Sequence, residues 1–173
     1  ASQHGKGCTQ RIRLVLTLSG LPVKTLQHRS VGKSRSAREL AWPDFPLVLT
    51  DAVGVRLGDT VFAGLGSAGQ AWFALDTMAA APCWQPPAAF PFAMRKGAAA
   101  AAAEGKVYVF GGCGYSTPDQ GLRQFDSIAC YDPQCDRWTE LPARLPIGML
   151  GASAAAIGAS IYVFGGYNKS HFH

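Results

Sequence analysis

The sequence contains few of the residues on which common catalytic and metal-binding motifs depend. Its 173 residues include only four histidines, and it has no Walker phosphate loop, no G-x-S-x-G nucleophile segment and no H-E-x-x-H zinc motif. His171 and His173 lie one residue apart, which is a weak metal signal without a third ligand. No apolar run approaches the roughly 18 residues of a membrane-spanning helix. The sequence therefore predicts no metal, no cofactor and no membrane segment.

Acidic residues are almost missing from the first 42 positions, which carry eight Lys or Arg and one acid, Glu39. The other 131 residues carry eight bases and ten acids, so the net charge of +5 belongs to a basic leader. The segment "RIRLVLTLSGLP" (11–22) places basic residues before a short apolar run, the outline of a secretory signal, but no small-x-small cleavage site follows. Residues 1–42 are interpreted as a disordered leader, either signal-like or non-native. Nothing downstream supports a nucleic-acid or membrane partner.

The cysteines form no C-x-x-C pair and are odd in number. Cys130 and Cys135 flank the turn "YDPQ" and would face each other across it in an oxidising compartment. Two unlinked thiols are the favoured interpretation. The five are Cys8, Cys83, Cys113, Cys130 and Cys135.

One segment occurs twice. Residues 106–112 read "KVYVFGG" and residues 160–166 read "SIYVFGG", a spacing of 54 residues that indicates a repeat architecture. Each copy is a run of β-forming residues that predicts a buried strand, followed by two glycines that permit a left-handed backbone. After the first copy, "SIACYD" (127–132) predicts a third strand and "DRWTEL" (136–141) a fourth.

A degenerate copy precedes these two. It aligns Val61–Gly66 with Val107–Gly112, "AWFALD" with "SIACYD", and Trp84 with Trp138. The alanines at 98–103 prefer helix by intrinsic propensity. The repeat frame nevertheless predicts that they form the innermost strand of a four-stranded unit, where small side chains fit a crowded centre, with a tight turn at Glu104–Lys106.

The apolar strand, the diglycine, Tyr131 and Trp138 resemble the kelch repeat, which builds the blades of β-propellers. The resemblance implies an all-β, kelch-type β-propeller with about two and a half four-stranded blades of an expected six. The predicted divisions are a degenerate blade at 43–91, a full blade at 92–146, and the first half of a third blade at 147–173. The chain is accordingly expected to be an N-terminal fragment.

A finer resemblance covers roughly residues 45–168. The unusual "GLGSAG" (64–69) in place of a diglycine, followed by "GLRQFDSIACYDPQCDRWTELP" and "IYVFGGYN", is similar to bacterial N-acetylneuraminate epimerases, the sialic acid mutarotases. Residues 1–40 match nothing in that family beyond their position, where a secretion signal would lie.

The resemblance implies a periplasmic isomerase that interconverts the α and β anomers of N-acetylneuraminate by acid–base ring opening and closure. It implies no cofactor, a small-molecule partner, and a homodimer of the full-length protein. The catalytic carboxylate is expected beyond His173, so this chain offers no catalytic residue. Glu104, Asp132 and Asp136 are interpreted as turn formers.

Three residues at strand ends are predicted to bind substrate. Arg95, at the loop entering the inner strand of the second blade, matches a family arginine directed toward the axis, and arginine is the usual planar partner of a carboxylate. The alternative is a solvated surface charge. Ser67 and Asn168 are weaker candidates, because small polar residues at such positions are commonly turn formers.

Other interpretations remain open. A non-enzymatic kelch module that binds a protein partner has the same fold, since function resides in the site and not in the scaffold. A copper-radical oxidase is disfavoured because the four histidines lie outside the complete blades. The product of a broken gene, without a function of its own, is a further alternative.

Overall fold

The computed structural model describes the backbone of residues 14–17 and the full residues 43–115 and 121–168. These residues form antiparallel sheets and one short 3₁₀ turn, Gly66–Ala68. No helix in the described part of the chain is long and apolar enough to cross a membrane. The strands are β1 (Leu14–Thr17), β2 (Val53–Leu57), β3 (Thr60–Gly64), β4 (Trp72–Asp76), β5 (Trp84–Gln85), β6 (Ala99–Ala103), β7 (Lys106–Phe110), β8 (Cys113–Gly114), β9 (Arg123–Gln124), β10 (Ser127–Asp132), β11 (Arg137–Arg144), β12 (Leu150–Ile157) and β13 (Ser160–Tyr167).

The sheets repeat one topology. Blade A has the order β2-β3-β4-β5, blade B has β6-β7-β10-β11, and blade C contains β12-β13 with β1 beside β13. Strands β8 and β9 form a small separate ribbon in the connection between β7 and β10. The strands of the three blades lie within the divisions predicted at 43–91, 92–146 and 147–173, and the division itself stays a prediction. The all-β, repeated architecture is confirmed.

The alanine segment is a strand, as the repeat frame predicts. Strand β6 pairs along its whole length with β7, from Ala99 opposite Phe110 to Ala103 opposite Lys106. Its alternate alanines face the two neighbouring blades, and a β-strand exposes successive side chains on opposite faces. Glu104 and Gly105 form the connecting turn with φ of 48° and 74°. Tertiary pairing therefore overrides the helical preference of alanine.

Two apolar clusters lie between neighbouring blades. Fully burying one Val, Leu or Phe side chain contributes about 1.5–3 kcal/mol, so the clusters supply most of the cohesion between blades. The cluster between blades A and B contains Val53, Phe62, Leu65, Trp72, Phe90, Val107, Val109, Ala129, Tyr131 and Trp138. The cluster between blades B and C contains Ala99, Ala101, Ala103, Tyr108, Phe110, Ile128, Cys130, Leu145, Met149, Ile161 and Val163.

A hydrogen-bonded group joins blades A and B at the β10–β11 turn. The Tyr131 hydroxyl and the Ala88 N–H both donate to Asp136 Oδ1, at 2.6 and 2.8 Å, and Trp138 Nε1 donates to the Ala88 carbonyl at 3.0 Å. The Tyr131 hydroxyl, followed by the Ala88 amide, lowers the pKa of Asp136. Burial, followed by the bond to Asp136, raises the pKa of Tyr131. Tyr131 and Trp138, the Tyr and Trp of the kelch pattern, thus link blades A and B.

The structure differs from the prediction for part of the leader and agrees with it for Cys130 and Cys135. Of the predicted disordered leader, Leu14–Thr17 instead forms β1, and the remaining residues of 1–42 lie outside the described residues. Cys8, His171 and His173 also lie outside them. Cys130 is buried and Cys135 is exposed, and both are free thiols, which is the favoured interpretation.

Candidate functional site

The loops that follow the diglycine strands lie together at one end of the blades. The Gly66 N–H donates to the Arg95 carbonyl at 2.8 Å, and the Gly97 N–H donates to the Asp51 carbonyl at 2.9 Å, which ties blade A to the entry of blade B. The Gly112 N–H donates to the Met149 carbonyl at 2.7 Å, which ties blade B to blade C. These backbone bonds make the loops of three blades one continuous surface.

A cavity of about 340 Å³ opens on this surface. Small-molecule sites typically have volumes of about 300–1,000 Å³. The residues that line it include an arginine, an aspartate, a glutamine and a phenylalanine. Arginine is the usual partner of a negatively charged group on a small molecule. The lining residues are Arg123, Gln124, Phe125, Asp126 and Gly148.

The β8–β9 ribbon fixes the cavity wall. Cys113 pairs with Gln124 across the ribbon, and the Cys113 N–H donates to the Lys96 carbonyl at 2.9 Å. The Phe125 N–H donates to the Gly112 carbonyl at 2.8 Å. A glycine is required at 148, because a Cβ there would lie 2.4 Å from the Gln124 carbonyl oxygen. The wall is therefore held by backbone contacts on both sides.

Arg95 lies behind this wall. Its side chain is 1% exposed, and its guanidinium carbon lies 5.2 Å from the centre of the Phe90 ring and 5.0 Å from that of the Phe125 ring. Nη1 donates to the Gly111 carbonyl at 3.2 Å and to the Ser127 carbonyl at 3.1 Å. Nη2 donates to Ser127 Oγ at 2.6 Å. Arg95 thus fixes the two residues that flank the cavity loop.

The burial of Arg95 overturns one of the two interpretations of this residue. A solvated surface charge is wrong, because Arg95 is buried. That burial lowers the pKa of Arg95 to about 10. Arg95 is absent from the residues that line the cavity among those the structure describes. Its direct contact with substrate stays a prediction, and the geometry gives it a supporting position behind Phe125.

Ser67 has its hydroxyl engaged with the backbone. Ser67 Oγ accepts from the Thr50 N–H at 2.9 Å and donates to the Val48 carbonyl at 3.0 Å. The neighbouring Gly66 has φ of +60°, and a Cβ on it would lie 2.2 Å from the Thr50 carbonyl oxygen. The "GLGSAG" segment therefore holds residues 48–51 against the blade, which is a turn-forming role, and a binding role for Ser67 stays a prediction.

Asn168 lies next to the cavity. Its Nδ2 donates to the carbonyl of Gly148, a lining residue. Beside it, Gln124 Nε2 donates to the Tyr167 carbonyl at 3.1 Å. Asn168 and Arg95 therefore approach the same cavity from two sides, whereas Ser67 belongs to the adjacent blade A loop.

Sequence reasoning missed the polar residues of the cavity itself. Arg123, Gln124 and Asp126 occur in "GLRQFDS" (121–127), a segment that resembles the family but contains no known catalytic motif. The sequence does contain a pattern that indicates a polar site: Arg123 and Asp126 lie on either side of Phe125, directly before a buried strand. No cluster of His, Cys, Asp or Glu suited to a metal ion occurs among the described residues.

The repeated four-stranded sheets, the diglycine turns and the Tyr–Trp packing between blades define a kelch-type β-propeller. The solved structure of YjhT has the same architecture, with a TM-score of 0.70 and 36% sequence identity over 75% of this chain and 37% of that chain. The family model described as N-acetylneuraminate epimerase matches residues 42–173. The chain belongs to the N-acetylneuraminate epimerase family.

Curated relatives agree with this assignment. The N-acetylneuraminate epimerases of Yersinia enterocolitica and Vibrio cholerae are each 41% identical over 133 residues, which is 76% of this chain and 34% and 35% of theirs. That of Yersinia pestis is 34% identical over 172 residues, 98% of this chain and 42% of its own. This last match extends into residues 1–42, where the sequence alone predicts no likeness to the family beyond position. The chain spans about a third to two-fifths of the length of these relatives.

Proposed function

We propose that this chain forms part of an N-acetylneuraminate epimerase that interconverts the α and β anomers of sialic acid, a mutarotase. The observation that carries the proposal is its membership of the family over residues 42–173, joined to a cavity lined by Arg123 and Asp126. No observation among the described residues favours the non-enzymatic protein-binding module.

The reaction requires proton transfers and the reversible cleavage of one carbon–oxygen bond. A proton is removed from the anomeric hydroxyl while another is delivered to the ring oxygen, and the bond between the anomeric carbon and the ring oxygen breaks to give the open keto form. The carbonyl then rotates and the ring closes on its other face with both proton transfers reversed. Positioned acid–base groups typically accelerate such steps by about 10²–10⁴-fold. We assign none of these proton transfers to a residue of this chain.

The cavity in this chain supplies substrate binding in this scheme. The Arg123 guanidinium pairs with the sugar carboxylate, for which its planar fork is the suited partner. Asp126 and Gln124 accept hydrogen bonds from sugar hydroxyls, and Phe125 offers a ring face. Arg95 keeps the loop in place through Ser127 and Gly111.

Binding and turnover test the proposal in a chimera that carries residues 43–168 in place of the aligned segment of the Yersinia enterocolitica relative. Proton NMR follows the conversion of freshly released α-N-acetylneuraminate to the β anomer. We expect acceleration over the buffer blank, and we expect Arg123→Ala to raise KM about ten-fold or more, since a charged hydrogen bond is worth about 1.5–3 kcal/mol. Arg137→Ala, an exposed arginine on β11, is the matched control. Equal KM values for the two variants would refute the role of Arg123, and a rate equal to the blank would refute the activity.

The same proposal places the enzyme in the periplasm as a homodimer. The basic and then apolar order of the leader supports export. Fusion of residues 1–42 to alkaline phosphatase tests this, because the phosphatase folds actively only outside the reducing cytoplasm. An inactive fusion would contradict export, and a monomer in sedimentation equilibrium of the chimera would contradict the dimer.

A further inference from the structure

Three short segments beside the cavity are joined in a ring by hydrogen bonds, one between each pair of segments. The first is residues 124–125 at the end of β9, the second is residues 148–149 before β12, and the third is residues 167–168 at the end of β13. The bonds run from Gln124 Nε2 to the Tyr167 carbonyl at 3.1 Å, from Asn168 Nδ2 to the Gly148 carbonyl, and from the Met149 N–H to the Phe125 carbonyl at 3.2 Å.

The orientation of the two carboxamides in the ring follows from their partners. A backbone carbonyl accepts hydrogen bonds and cannot donate one, so the NH₂ end of each carboxamide has to be the end that faces it. The side-chain oxygens of Gln124 and Asn168 are therefore turned away from those carbonyls. An acid of the same shape at position 168 would place an acceptor against an acceptor, which makes the bond to Gly148 open to a specific test.

Asn168 holds the middle of a segment whose ends are anchored by the backbone. At one end, the Leu145 N–H donates to the Asp126 carbonyl at 2.8 Å, and at the other end Met149 belongs to the ring. Between these ends lies Gly148, which lines the cavity. Because glycine has no side chain, it contributes only backbone to the cavity wall. The bond from Asn168 to the Gly148 carbonyl therefore fixes part of that wall.

Gly148 also presses closely on Gln124, so the two lining residues are coupled. A Cβ on Gly148 would lie 2.4 Å from the carbonyl oxygen of Gln124 and 3.3 Å from its Cβ. Closely packed atoms transmit a displacement to their neighbours because they have no free space in which to absorb it. A shift of Gly148 is therefore expected to move Gln124, whose side chain reaches back to the end of β13.

We propose that Asn168 is a positioning residue of the cavity: its carboxamide closes the ring and holds the backbone of Gly148, and through it Gln124, in the place that binds the ligand. The ring joins blade B to blade C at the cavity, so the ligand site belongs to both blades. The ring rests on the contacts described above, whereas the ligand, N-acetylneuraminate, rests on the proposed function.

Hydrogen exchange with mass spectrometry on the full 173-residue chain tests the ring without a ligand. Asn168→Leu keeps the number and branching of the side-chain atoms and removes the donor, and Asn168→Asp replaces the donor by an acceptor. Because loss of one bond opens the ring, we expect the peptide covering 145–150 to exchange about three- to ten-fold faster in both variants. Gln134→Glu makes the same change from amide to acid in the exposed β10–β11 turn, at the other end of blade B, and should change this exchange by less than about 1.5-fold.

The peptide covering 106–110 reports whether blade B survives, because β7 lies between β6 and β10. Its exchange should stay within about 1.5-fold of the parent in every variant. Unchanged exchange over 145–150 in both Asn168 variants would overturn the ring. Faster exchange in Asn168→Asp alone would overturn the hydrogen bond as its cause, and faster exchange of both peptides would overturn a role confined to the cavity.

Ligand binding separates positioning from a merely structural role. The Kd of N-acetylneuraminate for the 173-residue chain is measured by titration with NMR detection of the ligand. We expect the Kd to rise about three- to ten-fold in both Asn168 variants and to stay unchanged in Gln134→Glu. An unchanged Kd beside faster exchange over 145–150 would overturn the positioning role. No binding by the parent would instead refute the binding role proposed for the cavity, and the positioning role with it, while the exchange data would still decide the ring.

Discussion

Replacement of Arg95 by methionine is the perturbation that best tests the architecture of the cavity wall. Methionine keeps most of the length and apolar volume of the side chain, and its sulfur preserves favourable contacts with the Phe90 and Phe125 rings. It removes the three hydrogen bonds to Gly111 and Ser127. Comparing the parent with Arg95→Met therefore separates the contribution of the guanidinium's hydrogen bonds from that of side-chain packing.

The expected magnitude follows from opposing contributions. Each hydrogen bond from a charged donor contributes roughly 1.5–3 kcal/mol, and the Gly111 carbonyl would lose a partner in a buried place. Burial opposes this, because it lowers the pKa of Arg95 to about 10. That shift disfavours the charged form by about 3 kcal/mol. The net loss in the free energy of unfolding on Arg95→Met is therefore about 1.5–6 kcal/mol.

Urea denaturation followed by tryptophan fluorescence measures this loss, since Trp72 and Trp138 lie in the cluster between blades A and B. Arg137→Met, an exposed change on β11, is the control and should stay within about 0.5 kcal/mol of the parent. Arg95→Lys should lose about half as much as methionine, because a single ammonium cannot reproduce the planar fork. Equal stability of the Arg95→Met and Arg137→Met chains would refute the reasoning.

Three further predictions concern backbone and charge. Gly111→Ala should destabilise by about 2–4 kcal/mol in urea titration, because the added Cβ would lie 2.7 Å from the Met149 carbonyl oxygen. Gly165→Ala, with φ of 73° against 60° for Gly111 but no atom within 4 Å of the added Cβ, should lose only about 1 kcal/mol. Similar losses in the two variants would contradict the close contact at Gly111. Glu104→Asn should raise the midpoint of thermal unfolding by a few degrees, because Glu104 and Gly105 both have positive φ and Asn-Gly is the pair best suited to such a turn. A lowered midpoint would contradict that turn geometry. Because the folded-state pKa of Asp136 is lowered, its stabilisation is present at neutral pH and is lost as the pH falls through that pKa. Asp136→Asn should therefore lose less stability between pH 7 and about pH 3 than the parent, and parallel pH profiles would contradict this.

The repeated strands were predictable because the same segment, "YVFGG", occurs twice in the sequence. "SIACYD" predicted β10 with the bounds that the structure has, and the diglycines predicted the positive φ of Gly111, Gly112, Gly165 and Gly166. The alanine strand was predictable only through the repeat, since local propensity favours helix. The order of the strands within blade B therefore followed from the repeat.

The candidate site was less predictable because it depends on contacts between distant loops. Arg95 is buried by Phe125, 30 positions further along the chain, and no local pattern near Arg95 announces that ring. The cavity wall rests on a ribbon of two short strands in an irregular connection, which has no counterpart in the shorter loop of blade A. Loop chemistry of this kind becomes visible only when the blades are assembled.

The alanine strand has a consequence for sequence change. A one-residue slip in an ordinary strand exchanges its two faces and exposes its apolar side chains. In β6 every residue is alanine, so a one-residue shift against β7 would put one alanine in the place of another. The side chains of β6 therefore do not determine its register. The register is determined at its two ends, in the Glu104–Gly105 turn and in Gly97, whose N–H donates to Asp51 and whose carbonyl accepts from Gly151. Gain or loss of a single alanine codon would therefore leave the wall between two cores chemically intact and would shift the strain to Gly97.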